Sequence, residues 1–213
     1  MKPQIVVADD HAIVLEGLRR ILEPEFNILA TASDGRELIA AIEKHKPEVA
    51  VADISMPSLN GIDALRQCRE AKLRVRFVFL TASPDVSLAT QAFRLGASGY
   101  VLKQSAAEEL VGAVREAIAG RTYITPRIAT EVLQNLMHPA GGSMGTHDLT
   151  TREREVLQLL AEGKILKEIG AILNVSPRTV EFHKNNIAAK TGLHSTAELA
   201  RYAARLGLVP PLD

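Results

Sequence analysis

The stretch Val49-Ala50-Val51-Ala52-Asp53-Ile54 decides the fold, because it places a carboxylate near the end of a short, otherwise apolar run. Apolar runs of this length are typical of strands that are buried on both faces of a parallel sheet. Four further runs of the same kind lie at residues 5–8, 27–32, 76–80 and 99–102. Amphipathic helical patterns follow the runs near residues 12–22, 35–45, 61–71, 86–95 and 107–119. The alternation predicts an α/β doubly wound fold with a five-stranded parallel sheet.

The pattern of strands stops after Gly120, and the character of the chain changes there. A possible short helix near residues 127–137 leads into residues 138–145, whose glycines and proline are typical of a flexible linker. The remainder of the chain has only helical patterns. We therefore expect a first domain over residues 1–121, a linker with a possible short helix over 122–147, and a small all-α domain over 148–213.

Caps and turns give the second domain its organisation. Two segments have the pattern of a capping box, Ser105-Ala106-Ala107-Glu108 in the first domain and Thr150-Thr151-Arg152-Glu153 at the start of the second. Further helices are predicted near residues 165–173, 177–190 and 195–206. The short turn Asn174-Val175-Ser176 gives the second and third helices helix-turn-helix proportions. Small bundles with other functions share these proportions, so the surface must decide between them.

Composition sets limits on partners and location. The 213 residues include 25 Lys and Arg and 25 Asp and Glu, so the formal net charge is zero and any DNA-binding surface must be local. The one cysteine, Cys68, cannot form an internal disulfide, which favours a reduced, cytosolic setting. No apolar run approaches the roughly 20 residues that span a bilayer, and no signal peptide begins the sequence. We expect a soluble, cytoplasmic protein with no membrane partner.

Five polar residues follow or end the predicted strands: Asp9, Asp10, Asp53, Thr81 and Lys103. The carboxyl ends of the strands form the binding crevice of a doubly wound fold, so these side chains should converge. Clustered carboxylates repel one another unless a cation binds or their pKa values rise, and Mg²⁺ prefers such oxygen ligands. Alone, each residue is as easily a helix cap or a solvated side chain; together they predict a magnesium site.

Phosphoryl transfer to a side chain is the chemistry that this set favours. A magnesium ion would neutralise an incoming phosphoryl group and leave Asp53 able to attack it in line. Thr81 could bind a phosphoryl oxygen by a hydrogen bond and Lys103 by its charge. The product would be an acyl phosphate on Asp53.

Local charge supports a DNA-binding surface in the second domain. Residues 164–190 carry five Lys and Arg side chains against two Glu, inside a neutral protein. Such cations bind phosphates and make affinity depend on salt. On the third helix of this domain, Val180 and Ile187 should face the core. The candidate base-reading side chains on the opposite side are Arg178, Glu181, Phe182 and Asn185; simple solvent exposure is the alternative for each.

Four segments of the first domain carry a family resemblance: Val7-Ala8-Asp9-Asp10-His11, Ala52-Asp53-Ile54-Ser55-Met56-Pro57 with Gly61, Leu80-Thr81-Ala82, and Gly96-Ala97-Ser98-Gly99-Tyr100-Val101-Leu102-Lys103. They resemble the receiver domains of bacterial two-component response regulators, within the NarL/FixJ group. The resemblance implies a flavodoxin-like receiver with a histidine kinase as its phosphodonor. It also implies that Asp53 is the phosphoacceptor and that Thr81 and Lys103 assist the reaction.

The same resemblance implies a metal site and a switch. The implied Mg²⁺ ligands are Asp9, Asp10, Asp53 and the backbone carbonyl of Ser55. Thr81 would move toward the phosphoryl group, and Tyr100 would turn inward to fill the vacated space; ordinary packing is the alternative for Tyr100. The small side chain of Ala82 would leave the phosphoryl group accessible.

Segments 149–157, 167–170 and 176–190 are similar to the LuxR-type output domain of the same family, so the resemblance covers all but about residues 122–147. The implied DNA-contacting residues are Lys167, Arg178, Thr179, Glu181, Phe182, Lys184, Asn185 and Lys190. The resemblance also implies a homodimer on DNA through the last helix. The apolar stripe of that helix, Leu199, Tyr202, Ala203 and Leu206, could equally close the small core.

Three functions are compatible with these patterns. The favoured one is a DNA-binding response regulator that is phosphorylated on Asp53 and is not otherwise an enzyme. An aspartyl-phosphate phosphatase or phosphotransferase is the alternative, although Ser55 stands where such enzymes place a second Asp. A DNA-binding protein with a dormant acidic site is the third, and the intact set of five residues argues against it.

Overall fold

The computed structural model describes residues 1–138 and 149–210, and its contacts divide the chain into two compact units. Almost all of the described residues up to His138 belong to the first unit, and those from Leu149 onward belong to the second. The segment predicted to be a flexible linker lies, apart from His138, outside the described residues. None of the described helices is both long enough and apolar enough to cross a membrane.

A parallel sheet forms the centre of the first unit. Its strands are β1 (Gln4–Ala8), β2 (Asn27–Ala32), β3 (Val49–Asp53), β4 (Arg76–Thr81), β5 (Gly99–Leu102) and β6 (Tyr123–Ile124). Their order across the sheet is β2-β1-β3-β4-β5-β6, and every neighbouring pair is parallel. The chain therefore reverses its direction of winding between β1 and β3, which is where a doubly wound fold opens its binding crevice.

The predicted fold class is confirmed, but the predicted number of five strands is wrong. The sixth strand contains only Tyr123 and Ile124, which pair with Gly99 and Tyr100 of β5. Two residues are too few to show either an apolar run or an alternation of apolar and polar positions. The strand exists because the chain returns along the edge of β5, not because its own sequence favours one.

The described part of this unit contains six α-helices: α1 (Ala12–Leu22), α2 (Gly35–His45), α3 (Gly61–Glu70), α4 (Val86–Arg94), α5 (Ala106–Ile118) and α6 (Pro126–Met137), the last of which packs on α4. The Asp34, Asn60 and Asp85 side chains cap α2, α3 and α4 by accepting backbone N–H groups of the first turn. The capping box predicted at Ser105 is wrong. A 3₁₀ turn occupies residues 103–105, and the Ser105 hydroxyl donates to the Leu102 carbonyl instead.

Alternation along the strands places the core of the first unit. Val7, Val51 and Val78 lie on one face of the sheet, are fully buried and pack against α1 and α5. Burial of an aliphatic side chain of this size contributes about 1.5–3 kcal/mol. Central strands packed in this way provide a rigid base for the residues that follow their carboxyl ends.

The second unit consists of four described helices, α7 (Thr151–Ala161), α8 (Leu166–Leu173), α9 (Pro177–Thr191) and α10 (Thr196–Arg205). The capping box predicted at Thr150 is confirmed, because Thr150 and Glu153 exchange side-chain and backbone hydrogen bonds of 3.2 and 2.8 Å. The apolar stripe of α10 packs with α7, α8 and α9 in a single core. A dimer contact through α10 would therefore use its exposed residues rather than this stripe.

Candidate functional site

Strand register brings the predicted acidic residues together. Ala8 pairs with Ala52, so Asp9 and Asp53 come next to each other at the carboxyl ends of β1 and β3. Both carboxylates are buried, and the Lys103 ammonium lies 2.7 Å from Asp9 Oδ2 and 2.7 Å from Asp53 Oδ2. The contact with Asp53 is a well-aligned hydrogen bond, whereas the contact with Asp9 is an ion pair without that alignment. One cation therefore bridges two buried acids.

The charges of this cluster depend on one another. Burial raises the pKa of the Asp53 carboxyl group, the hydrogen bond from Lys103 opposes that rise, and the nearby charge of Asp9 adds to it. Burial alone would lower the pKa of Lys103, but its contacts with Asp53 and Asp9 outweigh burial and raise it. Lys103 thus stays cationic and compensates only one of the two acids, which leaves the cluster able to attract a further cation.

The oxygen atoms at this edge fit a hard cation. Asp9, Asp10 and His11 each offer one ligand atom, and these atoms lie within 4.8 Å of one another. Asp9 Oδ2 is buried and contacts the Lys103 ammonium at 2.7 Å, so this oxygen already has a cation as its partner. Asp53 lies outside this group; its Oδ1 accepts the Ser55 N–H at 3.3 Å.

His11 is a member of the acidic cluster that sequence reasoning did not single out. Its Nδ1 lies 2.8 Å from Asp10 Oδ1 and 3.4 Å from Asp9 Oδ1, although its side chain is 65% exposed. The signal was present in the sequence, because His11 directly follows Asp10. A histidine in this place can orient the Asp10 carboxylate by a hydrogen bond.

The remaining predicted receiver residues occupy the neighbouring strand ends. Thr81 ends β4 and pairs with Leu102, so it lies beside Lys103; its hydroxyl accepts the Ser83 N–H at 3.2 Å. Ala82 is exposed. Tyr100 is fully buried, and its hydroxyl lacks a well-aligned hydrogen bond. Burial raises the pKa of this phenol, so the hydroxyl stays neutral.

Gly61 sets the distance between α3 and the end of β3. The Gly61 N–H donates to the Ile54 carbonyl at 2.9 Å. A Cβ atom at this position would lie 2.3 Å from the Asp53 carbonyl oxygen and 3.1 Å from the Phe79 ring. Only glycine allows the helix to start this close to the backbone of Asp53.

In the second unit, α9 presents the polar face that its sequence predicts. Val180 and Ile187 are buried, whereas four candidate base-reading side chains are exposed: Arg178, Glu181, Phe182 and Asn185. Phe182 is 60% exposed, which is unusual for an aromatic side chain without a partner surface. Lys167 on α8 is also exposed, and Lys184 on α9 is half-buried. This face combines cations with groups that can read base edges.

Two of the predicted DNA contacts have structural partners. The Lys190 ammonium donates to Glu153 Oε2 at 2.6 Å and joins α9 to α7. The Thr179 N–H donates to the Ser176 hydroxyl at 3.1 Å, and the hydroxyls of these two residues are 2.8 Å apart. Both residues therefore stabilise the start and the packing of α9 in addition to any contact with DNA.

We expect Glu153→Gln to destabilise the second unit by about 1 kcal/mol at neutral pH, since it removes a charge-assisted hydrogen bond. Burial would raise the pKa of Glu153, but the hydrogen bonds from Lys190 and Thr150 outweigh it and hold the pKa below its ordinary value of 4.5. The ion pair therefore stabilises the fold above pH 4.5, and its contribution is lost as the pH falls through the lowered pKa. Hydrogen exchange of α7 amides in the full chain at several pH values measures the effect.

Glu168→Gln is the matched control for this prediction. Glu168 accepts the Ile165 N–H at 2.9 Å and so has the same capping role at the start of α8. Its substitution should change stability little and with no comparable dependence on pH. A Glu153→Gln effect that persists unchanged at pH values below the lowered pKa would mean that the ion pair does not stabilise the unit.

Comparison with known proteins agrees with this geometry. Residues 5–115 match the family model of the response regulator receiver domain, and residues 147–203 match that of bacterial regulatory proteins of the luxR family. The first unit is thus a receiver domain and the second a helix-turn-helix output domain. The chain belongs to the NarL/FixJ family of DNA-binding response regulators, which regulate transcription in two-component systems.

Relatives align over nearly the whole chain. The transcriptional regulatory protein DegU of Brevibacillus brevis is 34% identical over 225 residues, covering 98% of this chain and 95% of its own. The oxygen regulatory protein NreC of Staphylococcus carnosus is 36% identical over 214 residues, covering 97% and 99%. Salmonella enterica RcsB, solved bound to the promoter rprA with the phosphomimetic BeF₃⁻, is 27% identical with a TM-score of 0.61, covering 96% and 99%.

Proposed function

We propose that Asp53 accepts a phosphoryl group from a histidine kinase and that this modification controls DNA binding through α9. The observation that carries the proposal is the Lys103 ammonium held 2.7 Å from both Asp9 Oδ2 and Asp53 Oδ2. A cation in that position can bind a phosphoryl oxygen as soon as one is attached to Asp53. We infer the histidine kinase from the family. We infer a cytoplasmic location because the partner of the output domain is DNA.

The Mg²⁺ ligands in this proposal are the side chains of Asp9, Asp10 and Asp53 and the Ser55 carbonyl. When bound there, Mg²⁺ would neutralise phosphoryl oxygens and orient the group for in-line transfer. The buried Asp9 Oδ2 atom and the closeness of Asp9 and Asp10 fit this role. His11 would hold the Asp10 carboxylate in position through its contact of 2.8 Å.

The chain's own groups then have separate tasks in the transfer. An Asp53 carboxylate oxygen attacks phosphorus, the bond from phosphorus to the kinase histidine breaks, and an acyl phosphate forms on Asp53. Lys103 stays protonated and binds the new phosphoryl oxygens, because its pKa is raised. The Thr81 hydroxyl can turn from the Ser83 N–H to donate to the same group.

Tyr100 would convert the modification into a change of surface. Its ring lies 6.4 Å from that of Phe93 in α4, and its buried hydroxyl interacts with the Thr81 side chain. Tyr100 is already buried, so movement of Thr81 toward a phosphoryl group would stabilise the inward position of the ring rather than create it. The bound phosphoryl group thereby shifts an equilibrium between two packings of α4 and β5.

The phosphorylated chain would bind paired DNA half-sites as a homodimer. RcsB, a relative of similar length, has been solved as two dimers bound to two parallel DNAs. The exposed side chains of α9 would enter the major groove, with Lys167 and Lys184 near phosphates. In this proposal the only reactions of the chain are the gain and loss of the phosphoryl group on Asp53, and it acts on no separate substrate.

Mapping of occupied DNA tests the proposal. The full chain is incubated with fragmented genomic DNA and Mg²⁺, with and without acetyl phosphate as phosphodonor, and bound fragments are sequenced. We expect discrete sites that are enriched by acetyl phosphate and share paired half-sites. Binding that acetyl phosphate leaves unchanged, in a protein that carries the phosphoryl group, would overturn the regulatory link.

We expect Asn185→Ala to weaken binding to such a site by about 1–3 kcal/mol, because an Asn side chain can bond one base bidentately. Lys184→Ala should weaken binding to all sequences alike. It should also reduce the slope of the logarithm of the binding constant against the logarithm of the salt concentration by about 1, as loss of one phosphate contact does. Binding isotherms at several salt concentrations measure both effects.

Lys44→Ala is the control for these variants, since Lys44 is exposed on α2 of the receiver domain. It should bind like the parent chain at every salt concentration. If Asn185→Ala and Lys184→Ala behave as Lys44→Ala does, the DNA-reading face of α9 has been assigned wrongly.

A further inference from the structure

We propose that Thr125 is a positioning residue for phosphoryl transfer, because it fixes the backbone from which Lys103 projects. The inference rests on the proposed role of Asp53 and Lys103. Thr125 lies between β6 and α6, away from the acidic cluster, and its side chain is almost completely buried. It contacts Tyr100 and Leu102 of β5, and Leu102 directly precedes Lys103.

Thr125 continues the sheet where β6 ends. The Tyr123 N–H donates to the Ser98 carbonyl at 3.0 Å, and the Thr125 N–H donates to the Tyr100 carbonyl at 3.0 Å. The next group of β5 in this series is the Leu102 N–H, but the chain turns into α6 at Pro126. The Thr125 hydroxyl oxygen takes the place of a backbone carbonyl and accepts the Leu102 N–H at 3.2 Å. The Thr125 side chain thus supplies the last hydrogen bond between this segment and β5.

Glu109 sets the direction of this hydroxyl. Thr125 Oγ1 donates its hydrogen to Glu109 Oε2 at 2.7 Å, so its lone pairs remain for the Leu102 N–H. Since the acceptor is a carboxylate, this hydrogen bond is stronger than one between neutral groups. Glu109 belongs to the first turn of α5, so Thr125 ties the end of β5 to the helix that follows it.

The backbone of Leu102 is therefore held from both sides by hydroxyl groups. Thr125 accepts its N–H, and the Ser105 hydroxyl donates to its carbonyl at 3.3 Å. Lys103 is the next residue, and its ammonium must reach Asp9 and Asp53 together. A shift of this backbone would move the ammonium from both acids, and small displacements of a catalytic group carry large rate penalties. Thr125 acts on the reaction through Lys103 and does not touch the phosphoryl group.

The test compares Thr125→Val with Thr125→Ser in the full chain. Valine keeps the shape but removes the hydroxyl, and serine restores it. Two rates are measured: phosphorylation of Asp53 by acetyl phosphate with Mg²⁺, and acylation of the Lys103 amine by an amine-reactive ester relative to exposed Lys44. We expect Thr125→Val to slow the first about fivefold and to accelerate the second about fivefold, because the Leu102 N–H loses its acceptor. Thr125→Ser should restore both rates.

Thr90→Val is the matched control, because Thr90 is a buried receiver threonine whose hydroxyl donates to the Val86 carbonyl at 2.7 Å. It should leave both rates unchanged. If Thr125→Val unfolds, Glu109→Ala frees the Thr125 hydroxyl and should give smaller changes in the same directions; Tyr123→Phe, which should leave both rates unchanged, controls for the contact of Glu109 with Tyr123. Unchanged Lys103 acylation in the folded variant, or equal effects of Thr90→Val, would overturn the inference. Failure of the parent chain to take a phosphoryl group on Asp53 would instead overturn the proposed function, since Lys103 acylation does not depend on it.

Discussion

Asp53→Asn should abolish labelling of the chain by acetyl phosphate or by a phosphorylated histidine kinase. The amide keeps the shape of the carboxylate but lacks the negative oxygen that attacks phosphorus. Asp53 is buried at the end of β3 and accepts an aligned hydrogen bond from Lys103, whereas the contact of Lys103 with Asp9 lacks that alignment. We expect the loss to be complete within detection, which is the largest effect on activity that any single substitution here should have.

Intact-mass measurement after incubation with the donor and Mg²⁺ gives the labelled fraction directly. Asp85→Asn is the matched control: Asp85 caps α4 by accepting the Ser87 and Leu88 N–H groups, and Asn caps helices equally well. That variant should be labelled as the parent chain is. Full labelling of Asp53→Asn would move the nucleophile to another carboxylate, with Asp9 and Asp10 as the nearest candidates.

The receiver site could be predicted from sequence because it depends on strand ends. A parallel strand fixes which residue follows its carboxyl end, and the sheet brings those ends to one edge. Asp9, Asp53, Thr81 and Lys103 needed only the correct strand assignments to be placed together, and the register confirms their proximity. What strand ends could not give was the arrangement of charges, in which one ammonium bridges two acids.

Features that depend on a neighbouring element could not be predicted in this way. The two residues of β6 pair only because β5 offers an open edge. Ser105 and Glu108 have the spacing of a capping box, but a 3₁₀ turn at residues 103–105 takes Ser105 to the Leu102 carbonyl instead. Local propensity was overridden in both cases by contacts that the sequence does not display locally.

In the second unit, too, the features that depend on one helix could be predicted, and those that depend on another helix could not. The period of α9 correctly predicted that Val180 and Ile187 are buried and that Asn185 is exposed. A helical period cannot show that Lys190 forms an ion pair with Glu153, because the partner lies on another helix 37 residues away. Charge counted along the sequence therefore overstates the number of cations that are available to DNA.

Gly61→Ala should destabilise the receiver domain by about 3 kcal/mol, since the new Cβ atom cannot be accommodated without backbone movement. The atom would lie 2.3 Å from the Asp53 carbonyl oxygen, and the obstacle is main chain rather than the end of a flexible side chain. Either α3 or the end of β3 must shift, and a shift of the end of β3 would move Asp53 away from Lys103. Denaturant unfolding measures the stability, and labelling by acetyl phosphate measures the site.

Gly17→Ala separates this steric effect from the general effect of replacing a glycine. Gly17 lies within α1 with nothing near the position of an added Cβ, so alanine there should stabilise the receiver domain by about 0.5–1 kcal/mol. Opposite signs for the two variants would locate the cost at the contact with Asp53. If Gly61→Ala were as stable and as readily labelled as the parent chain, α3 would have room to retreat, and its close approach would not be what holds Asp53 in place.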